Sequence, residues 1–124
     1  MVGQIGSVEL SLERVLKTLE SLGLSHVESE VYVYLAKVGP SRVKDLSFGL
    51  RLTKQQLYPV LTGLRKKGIV ASRPEHDRLF SAIAFEELLC LFMRINAEKV
   101  KVIEETKQEI VESWQETIDK KDKS

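Results

Sequence analysis

Lys54, Gln55, Gln56 and Tyr58 follow one another in a way that suits the reading of DNA bases. A glutamine carries a donor and an acceptor side by side, which matches N6 and N7 of adenine, and a lysine can reach O6 or N7 of guanine. Tyr58 has two readings open to it, a contact with DNA or packing against the domain core. A second group, Arg73, His76 and Arg78, flanks a turn, and Arg42 and Lys44 precede the first group. Cations so placed hold phosphates, which positions a protein on a duplex without reading its sequence.

The charge distribution agrees with this. Between Ser41 and Phe80 there are nine basic residues against three acidic ones, while the whole chain of 124 residues carries only +1. A basic middle in an otherwise acidic chain is a local footprint of the kind that attracts phosphate backbones. Catalysis finds no support. There is no Gly-rich phosphate loop, no Ser/His/Asp set and no pair of carboxylates in an evident pocket. His26, His76 and Cys90 lack metal-ligand spacing, so neither a metal nor another cofactor is expected. Cys90 is the only cysteine. It reads as a small buried hydrophobe, and the absence of a possible intrachain disulfide suits a reducing cytoplasm. No apolar run approaches a membrane span, and Met1 to Ser7 do not resemble a secretory signal. The chain is therefore expected in the cytoplasm, away from membranes.

These side chains need elements to hold them. Residues 1–9 are expected to be a flexible tail. Leu12, Val15, Leu16, Leu19 and Leu22 recur at helical spacing and Gly23 closes the segment. Ser25 and Glu28 form a capping box that opens a second helix with Val27, Val31, Leu35 and Val38 on one face, stopped by Gly39-Pro40. A short helix is expected over about 43–48, then a turn over 49–52. Thr53 and Gln56 make a second capping box. The helix they open turns Leu57, Leu61 and Leu64 inward and ends at Arg65-Lys66-Lys67-Gly68, where cations favour the dipole and glycine permits a left-handed cap. Residues 69–73 and 78–83 alternate as two strands around Pro74-Glu75-His76-Asp77.

From Phe85 to Ile118 there is neither glycine nor proline. Leu88, Leu89, Phe92, Ile95, Ile103, Ile110, Trp114 and Ile118 lie on one helical stripe, far longer than a small domain can cover. Acidic residues such as Glu104, Glu109 and Glu116, with Lys99, Lys101 and Lys107, form its wet face. Phe92, Ile95, Ile103, Ile110 and Trp114 are the expected dimerisation residues. The fold class is mainly α with a small β-hairpin: a winged helix-turn-helix over 10–84, a long coiled-coil-like dimerisation helix over 85–119 and a disordered end over 120–124.

The order of elements is joined by a resemblance. Leu22-Gly23-Leu24-Ser25, Glu28, Glu30-Val31-Tyr32, Leu35, Gly39-Pro40, Lys44-Asp45-Leu46, Leu57-Tyr58, Val60-Leu61, Leu64 and Lys66-Lys67-Gly68-Ile69-Val70 resemble the N-terminal domain of TrmB-type regulators, common in archaea. The likeness runs from about Leu12 to Ala84. It implies a transcription regulator whose partners are double-stranded DNA and a second copy of itself. Larger members carry a sugar-sensing domain for which 124 residues leave no room, so no small-molecule ligand is expected.

The sequence departs from the family pattern at three positions. Arg51 stands where the family has glycine in the turn, so the turn is expected to be built on Gly49. Pro59 replaces an acidic residue and, by removing the amide bond to Gln55, is expected to bend or unwind the recognition helix. Gly63 weakens the same helix by ~1 kcal/mol relative to alanine. A broken recognition helix would favour the alternative function, a winged-helix adaptor that binds protein and does not read DNA sequence.

Overall fold

Two of the helices end in the same device, and that device sets the direction in which the chain leaves them. At Gly68 (φ 81°) the amide of Ile69 donates to the Leu64 carbonyl at 2.9 Å and that of Gly68 to Arg65 at 3.0 Å. At Gly23 (φ 116°) Leu24 donates to Leu19 and Gly23 to Glu20, both at 3.1 Å. These are Schellman caps, which need a left-handed residue and bury a hydrophobic pair across the turn. Ile69 with Leu64, and Leu24 with Leu19, are those pairs, and all four are buried.

The computed structural model describes the backbone of residues 2–74 and 78–123 and the side chains of 11–74 and 78–120. The elements run α1 (Val2–Ser21), α2 (His26–Val38), α3 (Val43–Leu50), α4 (Lys54–Lys66), β1 (Val70–Arg73), β2 (Leu79–Ala82) and α5 (Phe85–Lys123). Residues 1–88 form one compact unit and 89–124 a second. Two expectations at the ends change. Helix starts at Val2 where a tail was expected over 1–9, and it continues to Lys123, past the expected limit at 119. The C-terminal end has no glycine or proline to stop it, and at the N-terminal end Gly3 and Gly6 lie within the helix.

In the first unit α2 is the central element, packed against α1, α3, α4 and β2. Its capping box forms as expected: the Glu28 amide donates to Ser25 Oγ at 3.1 Å and the Ser25 amide to Glu28 Oε1 at 2.9 Å. Val31, Tyr32 and Leu35 are buried, whereas Val27 and Val38 at its ends stay exposed. The Tyr32 hydroxyl is kept from being orphaned by donating to the Ile83 carbonyl at 2.8 Å. β1 and β2 pair antiparallel, with Val70 opposite Ala82 and Arg73 opposite Leu79. Ser41 adds a bridge to Phe80, exchanging backbone bonds of 2.9 and 2.8 Å, so the α2–α3 connection is stitched to the hairpin.

α5 comprises 39 residues, about 58 Å of helix at ~1.5 Å per residue. Along it Leu88 and Phe92 are buried, but Cys90 is exposed, not buried as expected. Cys90 lies two positions from each of them, which puts it about 200° round the helix from both.

Candidate nucleic-acid interface

α3, the turn at 51–53 and α4 form the helix-turn-helix. Val43 and Leu46 anchor α3, while Leu57, Leu61 and Leu64 are each at most 1% exposed and seat α4. With that face committed to the core, Lys54, Gln55, Gln56 and Pro59 are turned to solvent, and Tyr58 keeps 44% of its surface exposed. Tyr58 is therefore available at the surface. Thr53 starts the helix: its Oγ1 accepts from the Gln56 amide at 3.1 Å, and Gln56 Oε1 accepts from the Thr53 amide at 2.9 Å. That box occupies the Gln56 acceptor, which a bidentate contact with adenine would need. The Gln55 side chain has no such commitment among the described residues, so the geometry separates two glutamines that look equivalent in sequence.

The expected unwinding at Pro59 does not occur. α4 is helical without interruption from Lys54 to Lys66. Proline there forfeits one amide bond. The three buried leucines on either side of it outweigh that loss, because each large buried aliphatic side chain is worth about 1.5–3 kcal/mol relative to exposure.

The turn also differs from expectation. Gly49 is inside α3, and the left-handed residue is Arg51 (φ 57°, ψ 39°), whose amide caps Ser47. The Ser47 hydroxyl in turn donates to the Leu52 carbonyl. Gly49 serves a different need. A Cβ on it would lie 1.9 Å from the Tyr34 hydroxyl oxygen, so any larger residue would force the Tyr34 ring to shift.

Arg42 and Lys44 are exposed at the start of α3. Arg73 and Arg78 are exposed at the end of β1 and just before β2, and Arg78 adopts φ 38°. His76 lies outside the described residues. Arg65 Nη1 donates to Ser72 Oγ at 3.4 Å, tying the end of α4 to the hairpin. Lys67 is committed elsewhere, its ammonium 3.0 Å from both oxygens of Glu28. Two surface residues at this site were not singled out by the sequence: Arg51, whose only flag was its replacement of a family glycine, and Phe48, which sequence spacing had left as the last residue of a short helix. Among the described residues no group of acidic, histidine or cysteine side chains could hold a metal ion, and no helix is long and apolar enough to cross a membrane.

Known proteins share this arrangement. Residues 19–86 match the family model of the sugar-specific transcriptional regulator TrmB. The chain is 30% identical over 104 residues to the HTH-type sugar sensing transcriptional regulator TrmBL1 of Pyrococcus furiosus, covering 84% of this chain and 30% of that protein. The structure of TrmBL2, an archaeal chromatin protein described as having a novel mode of DNA binding, superposes with a TM-score of 0.74 at 25% identity, over 86% of this chain and 41% of that one. The transcriptional regulator Tm0710 of Thermotoga maritima shares the fold, with a TM-score of 0.56 at 15% identity over 96% of this chain and 92% of that one. The chain thus spans less than half the length of TrmBL1 and TrmBL2. Its relatives are transcription regulators and DNA-binding proteins, not enzymes. With the family model matching more than half of the residues across the helices and hairpin just described, this chain belongs to the TrmB family of transcriptional regulators.

Proposed function

We propose that the chain binds double-stranded DNA sequence-specifically, as a homodimer, to regulate transcription. The observation that carries this reading is the solvent-facing start of α4, where Lys54, Gln55 and Tyr58 stand clear of a fully buried leucine face. In a helix-turn-helix these first turns enter the major groove. Gln55 is the base reader, Lys54 and Tyr58 support it, and Arg42, Lys44, Arg73 and Arg78 hold phosphates. His76 belongs with the wing by its place in the sequence. An unbroken α4 removes the observation that favoured an adaptor.

Dimerisation rests on α5, where Ile103, Ile110 and Trp114 are 58%, 57% and 60% exposed. Phe92 is only 7% exposed in the single chain, so little of it is left for a partner. A two-fold dimer calls for a pseudo-palindromic site with half-sites about one helical turn, or a multiple, apart.

The test compares Gln55→Ala and Arg78→Ala with the parent on selected and random duplexes across a salt series, with sedimentation alongside. Gln55→Ala should cost about 1–3 kcal/mol on the selected site and relax preference at one position. Arg78→Ala should weaken binding to all duplexes and lower the salt slope by about one. A parent that shows no salt-dependent binding, or that sediments as a monomer at micromolar concentration, would overturn the corresponding half of this reading.

A further inference from the structure

Phe48 is 88% exposed on α3. A single exposed aromatic is ordinary on a protein surface; its neighbours are what set this one apart. The ring forms a wall shared by two shallow clefts. One is completed by Lys44 and Lys54 with Asp45 and Tyr34, and the other by Arg51 and Thr53. Three cations from three local contexts therefore surround one apolar ring: Lys44 on α3, Arg51 at the turn and Lys54 in the first turn of α4. Asp45 is the one acidic residue lining either cleft.

The backbone is specialised to make this patch. Gly49 lies directly against the Tyr34 ring of α2, where any side chain would have to displace it. Phe48, on the adjoining position, is directed outward. Arg51 holds a left-handed conformation at φ 57°, one that L-residues other than Gly, Asn and Asp rarely adopt because Cβ crowds the backbone. Strain of this kind clusters at functional positions, and here the strained residue lines the same cleft as the ring.

We infer that Phe48, framed by Lys44, Arg51 and Lys54, is a DNA-contacting patch in which the cations hold phosphates and the ring covers an apolar edge of the duplex, a thymine methyl or a deoxyribose. The inference rests on the DNA-binding reading of α4 and extends it to a face of α3. Charge complementarity and the shared cleft with Lys54 favour DNA over a protein partner. The apolar ring adds affinity that salt does not screen, since burying it releases no counterions.

The experiment measures duplex affinity across a salt series for the parent, Phe48→Ala, Phe48→Leu and Arg51→Gly, with thermal melting and sedimentation of each. Phe48→Ala is expected to weaken binding about tenfold, the equivalent of removing cover from about 60 Å² of ring, with the salt slope unchanged. Phe48→Leu should recover part of the loss. Arg51→Gly should keep or raise the melting temperature, because glycine adopts φ > 0 freely, while lowering the salt slope by about one. A duplex with uracil in place of thymine separates the two apolar edges: equal losses for Phe48→Ala on both duplexes indicate deoxyribose, and a loss only on the thymine duplex indicates the methyl group. The inference is overturned if Phe48→Ala binds DNA as the parent does, or if it alters sedimentation and leaves DNA affinity intact, which would make the patch a protein-contact face. A parent that fails to bind any duplex overturns the proposed function itself, a separate and recognisable result.

Discussion

α4 and the distal part of α5 carry the same sequence signal and meet opposite fates. α4 repeats leucines at intervals of four and three, and distal α5 sets Ile103, Ile110, Trp114 and Ile118 on one face at intervals of seven, four and four. In α4 the stripe of Leu57, Leu61 and Leu64 is buried to within 1% of completion, whereas in α5 Ile103, Ile110 and Trp114 are each more than half exposed. Periodicity therefore identifies a face and leaves its occupant open. Where neighbouring elements supply the cover, the helix also tolerates local insults such as Pro59. Where they do not, the apolar face stays exposed.

The contrast breaks most sharply under matched truncations. Leu61→Ala should lower the unfolding free energy by about 2–5 kcal/mol, the usual cost of a cavity at a fully buried leucine. Ile110→Ala should leave the unfolding of residues 1–88 unchanged and weaken self-association instead. Denaturant unfolding at two protein concentrations reads both effects. A concentration-independent loss of several kcal/mol for Ile110→Ala would mean that the α5 stripe is covered within one chain.

Pro59→Ala tests how far core burial carries α4. Proline inside a helix is about 3 kcal/mol less favourable than alanine, so the substitution should stabilise the protein by about 1–3 kcal/mol. No gain, or a loss, would show that α4 already accommodates the ring without cost.

Thr53→Ala has a smaller effect, about 1 kcal/mol of stability. It is useful because it loosens the exposed start of α4 without touching the leucine face. It also frees Gln56 from the box, so a change in base preference on selected duplexes should accompany the loss. Stability equal to that of the parent would show that the core alone holds this end.

The smallest effect concerns a contact that has no counterpart on α5 among the described residues, where side-chain bonds are local. Lys67 reaches back across 39 positions in sequence to Glu28. Burial raises the Glu28 pKa, but the Ser25 amide and the Lys67 ammonium reverse this and hold it below the usual 4.5. A lowered carboxyl pKa contributes stability above the unfolded value, and that contribution is lost as pH falls through the folded one. Lys67→Met should therefore flatten the decline in stability below about pH 4.5, by less than about 1 kcal/mol. The exposed His26 has the opposite sign. The hydrogen bond to Glu20, with the nearby Glu30 carboxylate, raises its pKa above 6.5, so its contribution is present below that value and fades as pH rises through the raised one. An acid limb identical in parent and Lys67→Met would show that the pair adds nothing to folding.

Much of the framework was legible from residues within four positions of one another. Both capping boxes, the glycine ends of α1 and α4 and the buried face of α4 depend on local hydrogen bonds and on side-chain period, which neighbouring residue types already specify. The site was less legible. Gln55 and Gln56 are indistinguishable by type, and only the closed box on Thr53 shows that Gln56 is engaged. On the exposed face of α3 the charge of Lys44 was legible but Phe48 was not, because nothing in its local spacing ties the ring to a surface role.

What the amino-acid sequence determined by itself is thus the set of elements, the capped ends of α2 and α4 and the family to which the chain belongs. The tertiary structure alone decided that α4 survives Pro59, that Arg51 and not Gly49 makes the turn and that Ser41 bridges to Phe80. Each of these outcomes weighs a local preference of a few kcal/mol or less against packing between segments far apart in the chain: Tyr34 against Gly49, Tyr32 against Ile83, and the three leucines of α4 against the core they fill. Local propensity is a property of neighbours along the chain, but burial is a property of neighbours in space, and at these positions burial contributes more to the free energy of folding.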